Sequence, residues 1–174
     1  MVDHFSFLTF VNLMISTSKE EILAVKSVFE RQASTFGVRI HIYHSYYGIF
    51  YEQPFKSAIE YSNHTMKFCG VGSDHKNTIF YRKIRTLTLG YIILLIHEKI
   101  YFPEAITTRL WTYSLKSFSE QLNKIKVGDD GVTLMEEFAC TQKYITLKNN
   151  HTWGCPDFVL YAILKGNIPG LTKC

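Results

Sequence analysis

One stretch, SKEEILAVKSVFERQASTFG at residues 18–37, constrains the fold more than any other. Ser18 and Glu21 carry a capping-box signature, in which a hydroxyl and a carboxylate each satisfy a free amide at a helix start. Ile22, Val25, Phe29, Ala33 and Phe36 follow at helical spacing, and Gly37 supplies the C-cap. The flanking segments read differently. Phe5 to Ile15, FSFLTFVNLMI, is rich in β-formers and alternates loosely, and Val38 to Tyr43 is a second such run. A helix of about five turns between two strands predicts a βαβ-like unit, and with it a mixed α/β sheet.

Further along, Pro54 opens a short helix to Tyr61, and Thr65 to Cys69 reads as a short strand. Gly70 and Gly72 predict a flexible turn. Ser73 then N-caps a long helix over 74–99, with Ile84, Leu87, Tyr91, Leu94 and Leu95 as its core positions. Pro103 suits the first turn of another helix, whose apolar face is Trp111, Leu115, Phe118 and Leu122. Beyond Lys126 the periodicity weakens. GDDG at 128–131 reads as a turn, with Asp129 and Asp130 solvated rather than holding a metal.

At 174 residues, 47% of them apolar and 20% charged, the chain has enough material for a folded domain with a core. A net charge of +4 is a mild excess that permits nucleic-acid binding without demanding it. The most apolar run, Leu89 to Ile96, falls well short of the roughly 20 residues a membrane span needs, so it is expected inside a buried helix and not in a membrane. MVDHFSF has no basic n-region, so no signal peptide is expected. Cys69, Cys140, Cys155 and Cys174 lack any metal-ligand spacing and are expected as free thiols in a reducing compartment. The sequons at Asn63 and Asn150 are then chance matches. The location expected is intracellular, and nuclear if the chain binds DNA.

Four segments carry a family resemblance: VDHFSFLTFVNLM (2–14), FCGVGSDHKNTIFYRKIRTLT (68–88), PEAITTRLWTYSLK (103–116) and HTWGCPDFVL (151–160). In sequence and in spacing they resemble the integrase region of copia-type retrotransposon polyproteins, over nearly the whole chain. The resemblance implies a ribonuclease-H-like α/β core, a mixed sheet with flanking helices, over 1–125. A C-terminal extension over 126–174 would carry a short strand around 157–161. It also implies a family activity, joining element DNA to a target duplex by phosphoryl transfer with two Mg²⁺ ions held by three carboxylates.

The chain departs from the family at each carboxylate. Val2-Asp3 matches the end of the family's second strand, so the first strand and its Asp are expected to be lacking, and Asp3 matches a noncatalytic position. The family's Asp-Asn-Gly turn falls on Tyr46-Tyr47-Gly48, and Tyr81 stands where the Glu of the long helix belongs. A phenol, neutral at pH 7, is a poor Mg²⁺ ligand. The expectation is therefore an inactive remnant that is not an enzyme, with no catalytic residues and no cofactor. Asp74 and His75 are the local candidates for a rebuilt metal site, but Asp74 reads better as a helix N-terminal charge.

Nucleic-acid binding needs only positive charge and outlasts chemistry. Its candidate residues are Lys76, Arg82, Lys83 and Arg85, and the expected partner is DNA, bound nonspecifically. Tyr46, Tyr47 and Tyr81 are candidates for base stacking, though a loop or core role suits them better. The alternative reading is a protein–protein interaction module that pairs, with itself included, through its aromatic surface or sheet edge. His151 and Cys155 form a possible catalytic pair, read instead as part of a structural turn. Gly90 and Tyr91 read as decay: a helix-weakening glycine costing about 1 kcal/mol and an overpacked tyrosine.

Overall fold

The computed structural model describes residues 1–45, 48–69, 78–127, 131–140 and 153. Helix α1 (Lys19–Thr35) is the hub. Its start follows from the sequence in part. Ser18 Oγ accepts from the Glu21 amide at 3.3 Å. The Glu21 carboxylate, however, reaches past Ser18 and accepts from the amides of Ile15 and Ser16, each at 2.7 Å, and from Ser16 Oγ at 2.6 Å. Those bonds hold the incoming chain and draw the Glu21 carboxyl below its ordinary pKa, the Ser16 hydroxyl contributing most. The far end of α1 is a Schellman turn. Gly37, at φ +74°, donates to Ser34 O, and Val38 donates to Ala33 O.

β1 (Ile42–Ser45) and β2 (Thr65–Phe68) pair in parallel, with Ile42 opposite Thr65 and Ser45 opposite Phe68. Helix α2 (Gln53–Tyr61), opened by Pro54, connects them. The β–α–β unit is thus β1–α2–β2, one step later in the chain than the unit expected across 5–43. Residues 5–15 form no strand; their pairing is a single antiparallel bridge between Val2 and Thr9. The physical reason is local. Asp3 Oδ2 accepts from Phe5 N, Ser6 N and Ser6 Oγ at 3.1, 2.7 and 2.8 Å, which closes a turn, and Phe7 follows at φ +58°. The segment is then held by side chains. Asn123 pairs both backbone groups of Thr9, with Thr9 N to Oδ1 at 2.9 Å and Nδ2 to Thr9 O at 2.7 Å.

Two buried clusters lie on α1. Leu8, Ala33 and Phe138 form one, joined by Phe36, Val38, Ile40 and Met135. Ile22, Phe55 and Ile59 form the other, joined by Leu23, Tyr43, Phe50 and Met66. The fold is mixed α/β, and among the described residues its parallel sheet has two strands.

The second half is helical. α3 (Thr78–Tyr101) packs on α4 (Trp111–Lys124). Three expectations fail here. The helix placed at Pro103 begins at Trp111; Pro103 lies in a turn whose carbonyl, with that of Ile106, accepts from Lys99 Nζ at 3.0 and 2.9 Å. The core positions expected on α3 are not buried: Leu87, Tyr91, Leu94 and Leu95 are half-buried and Ile84 is exposed. On α4 the fully buried residues are Ser114, Ser119 and Asn123, not Trp111, Leu115, Phe118 or Leu122.

Gly90 explains the packing. A Cβ there would overlap the Phe118 ring, so the glycine is what lets the two helices approach, and it is not a sign of decay. Tyr91 is not overpacked either: its ring lies 6.2 Å from Trp111, and its carbonyl accepts from Ser114 Oγ at 2.9 Å.

Beyond α4, β3 (Lys126–Val127) and β4 (Val132–Thr133) form an antiparallel hairpin, followed by α5 (Leu134–Ala139). α5 opens with a full capping box between Thr133 and Glu136, and Leu134 and Phe138 anchor it. The expected turns at Gly70–Gly72 and 128–130, the Ser73 cap, and the strand around 157–161 lie outside the described residues.

Candidate functional site

α3 carries three of the residues expected to meet nucleic acid. Arg82 and Arg85, three apart and therefore on one face, are both exposed at its N-terminal end. Lys83 points elsewhere: it is half-buried, its ammonium lies 5.9 Å from the Phe7 ring centroid, and that burial lowers its pKa from the ordinary lysine value. Tyr81 is 46% exposed, with its ring 6.2 Å from that of Phe80. The cationic patch brought together by the described residues is thus Arg82 with Arg85, flanked by Tyr81. Lys76, Tyr46, Tyr47, Asp74, His75, Asp129, Asp130, His151 and Cys155 lie outside the described residues.

Mg²⁺ would need convergent anionic oxygens. Among the described residues no three His, Cys, Asp or Glu side chains converge, and Tyr81 offers no carboxylate.

A second polar site was not legible in the sequence. Glu30 Oε1 is approached by Lys26 Nζ at 2.8 Å, by the Tyr43 hydroxyl at 2.6 Å and by His64 Nδ1 at 3.1 Å. The first two bonds are well formed; His64 Nδ1 sits off the line of a hydrogen bond. Each member arrives for a local reason. Lys26 and Glu30 are one turn apart on α1. Tyr43 comes from β1. His64 follows Asn63, whose φ of +54° ends α2 in another Schellman turn. Burial, then the Glu30 bond, push the Tyr43 phenol well above its ordinary range, so it stays a donor. Burial lowers the His64 pKa; Lys26, His41 and Arg39 add to that and Glu30 opposes it. The cluster opens on a cleft of about 460 Å³ that Ser34, Arg39, Ile40 and Ser62 also line. With its carboxylate neutralised by a buried lysine, it reads as a structural ion network joining α1, β1 and the end of α2.

The other conspicuous surface is the outward side of α3. Leu89, Ile93, Ile96 and Ile100 are exposed at 51, 63, 59 and 72%, and no charged residue occurs from Thr86 to Ile96. Among the described residues no helix is long and apolar enough to cross a membrane. Compared with known families and with curated proteins, the chain matches no family model and no curated sequence.

Proposed function

We propose that this chain is a remnant of a copia-type integrase core, without the joining reaction and with residual nonspecific binding of nucleic acid at the first turns of α3. The observation that carries this is Tyr81 on α3's first exposed turn, beside the two exposed guanidiniums of Arg82 and Arg85. In the family to which the resemblance points, that turn holds the third carboxylate next to the DNA. The order β1–α2–β2–α3 supports the same reading, because it spans the segment between the family's Asp-Asn-Gly turn and its glutamate helix. A tyrosine cannot hold Mg²⁺, but two arginines still attract phosphate.

Fluorescence anisotropy with a labelled duplex, across a salt series, tests the binding. Each phosphate contact contributes about 0.9 to the slope of log K against log[salt], so Arg82→Ala with Arg85→Ala should lower that slope by about 2. Binding unchanged by the double substitution refutes the assignment. With Mg²⁺ or Mn²⁺ and DNA ends, no strand-transfer product is expected; product that disappears with Asp74→Asn would show a working metal site.

One observation favours a second reading, an interaction module. The apolar face of α3 is larger than the scattered apolar exposure that needs no explanation. The surface differs from the sheet edge or aromatic patch expected from the sequence.

A further inference from the structure

We infer that the nucleic acid this surface takes is single-stranded, its bases stacking on Phe7 and Tyr81 while Lys83 and Arg85 meet its phosphates. This deepens the nucleic-acid reading and rests on it.

The aromatic half of the surface comes from the turn over residues 3–7. Asp3 closes that turn through its bonds to Phe5 and Ser6, and Asn123 pins the next backbone at Thr9. Ser6 is fully buried, whereas Phe5 is 70% and Phe7 40% exposed on either side of it. Phe7 stands at φ +58°, a left-handed conformation that a bulky residue keeps only where its surroundings impose it, and such positions cluster at ligand clamps. The turn therefore holds two rings toward solvent on a fixed backbone.

α3 continues the surface. Lys83 Nζ lies 5.9 Å from the Phe7 ring centroid. Phe80 is three residues from Lys83 and adjacent to it on the helix surface, and its ring lies 6.2 Å from that of Tyr81. Tyr81 and Arg85, four apart, share the next face. Rings and cations thus alternate in one strip from Phe7 to Arg85. No acidic residue of α3 precedes Glu98, so the helix itself offers phosphates no repulsion along this strip.

The alternation selects the strand state. In a duplex each base is covered by its neighbours, and its face cannot reach a side-chain ring. A single strand offers free base faces between its phosphates, the pattern of this strip. Stacking and charge are shared by DNA and RNA, so the test carries both.

Fluorescence anisotropy of the full chain with labelled oligothymidylate, oligouridylate and a duplex of equal length, at one salt concentration, tests this. A single strand should bind tighter than the duplex, and the tighter of the two names the sugar. Tyr81→Ala and Phe7→Leu should each weaken single-strand binding about tenfold, the scale of one lost base stack, and Tyr81→Phe should restore it. Phe7→Leu should leave duplex binding unchanged, which shows the fold intact. Single-strand binding no tighter than duplex binding, or unmoved by Tyr81→Ala and Phe7→Leu, overturns the inference and leaves the cationic reading of Arg82 and Arg85 standing. Tyr81→Phe as weak as Tyr81→Ala overturns stacking at that position. A protein that binds neither form overturns both readings.

Discussion

The two halves of this molecule use similar apolar material in opposite ways. Around α1, residues Ile22, Phe29, Phe55 and Ile59 are turned inward and nearly inaccessible. Along α3, the isoleucines at 93, 96 and 100 are more than half exposed, while the contact with α4 is made at Gly90 and through buried Ser114. The difference teaches that hydrophobicity does not by itself decide which helix face is the core. The α3–α4 approach is set by where a backbone is bare enough to accept a ring. The opposite face is left apolar without an intramolecular use among the described residues.

Substitutions sharpen this contrast. The largest effect is expected from Ile59→Ala, which removes a side chain that is 1% exposed. It should cost about 2–5 kcal/mol in urea unfolding, whereas Ile96→Ala should stay within about 0.5 kcal/mol at concentrations where the chain is monomeric. Equal losses would erase the distinction. Next comes Asn123→Ala, which removes the partner of the buried Thr9 amide and leaves the Thr9 carbonyl only the Ser119 hydroxyl at 3.3 Å, and should cost about 1–3 kcal/mol. Gly90→Ala should destabilise by about 1–3 kcal/mol through overlap with Phe118, although helix propensity alone calls for a gain of about 1 kcal/mol. A higher melting temperature for Gly90→Ala would show that the helices do not meet there.

The smallest effect is on pH. The fold lowers the pKa of His64, so the unfolded chain binds that proton first. Stability should therefore be full above the unfolded histidine value of about 6.5 and decline as pH falls through and below it. His64→Gln should flatten that part of the profile, read from denaturation midpoints between pH 8 and pH 5, about the range in which histidine titrates.

What was legible in the sequence was what is locally determined. Ser18, Gly37 and Pro54 mark helix ends because capping is settled within a few residues, and all three hold. Thr133 with Glu136 carries the same capping signal for α5, within a stretch whose apolar periodicity is weak. Residues 5–15 have strand-forming side chains, but the backbone partner of Thr9 is an amide 114 residues away, which no local pattern encodes. On α3 both faces are apolar, so periodicity could not choose between Leu87, Tyr91 and Leu94 on one side and Leu89, Ile93 and Ile96 on the other. Lys26 and Glu30 were readable as a helical pair; Tyr43 and His64 reach them from other elements. Of the cationic residues chosen from the sequence, Arg82 and Arg85 are brought together, and Lys83 is drawn off by Phe7.

The most direct test of the contrast between the halves is the thiol reaction rate of an Ile96→Cys variant, measured by peptide mapping on dilute, monomeric protein, beside the same measurement for Ile59→Cys. The expected result is a residue-96 rate within about an order of magnitude of the unfolded chain, and strong protection at residue 59. Comparable protection at both positions would mean that the α3 face is covered within the monomer, contradicting the account.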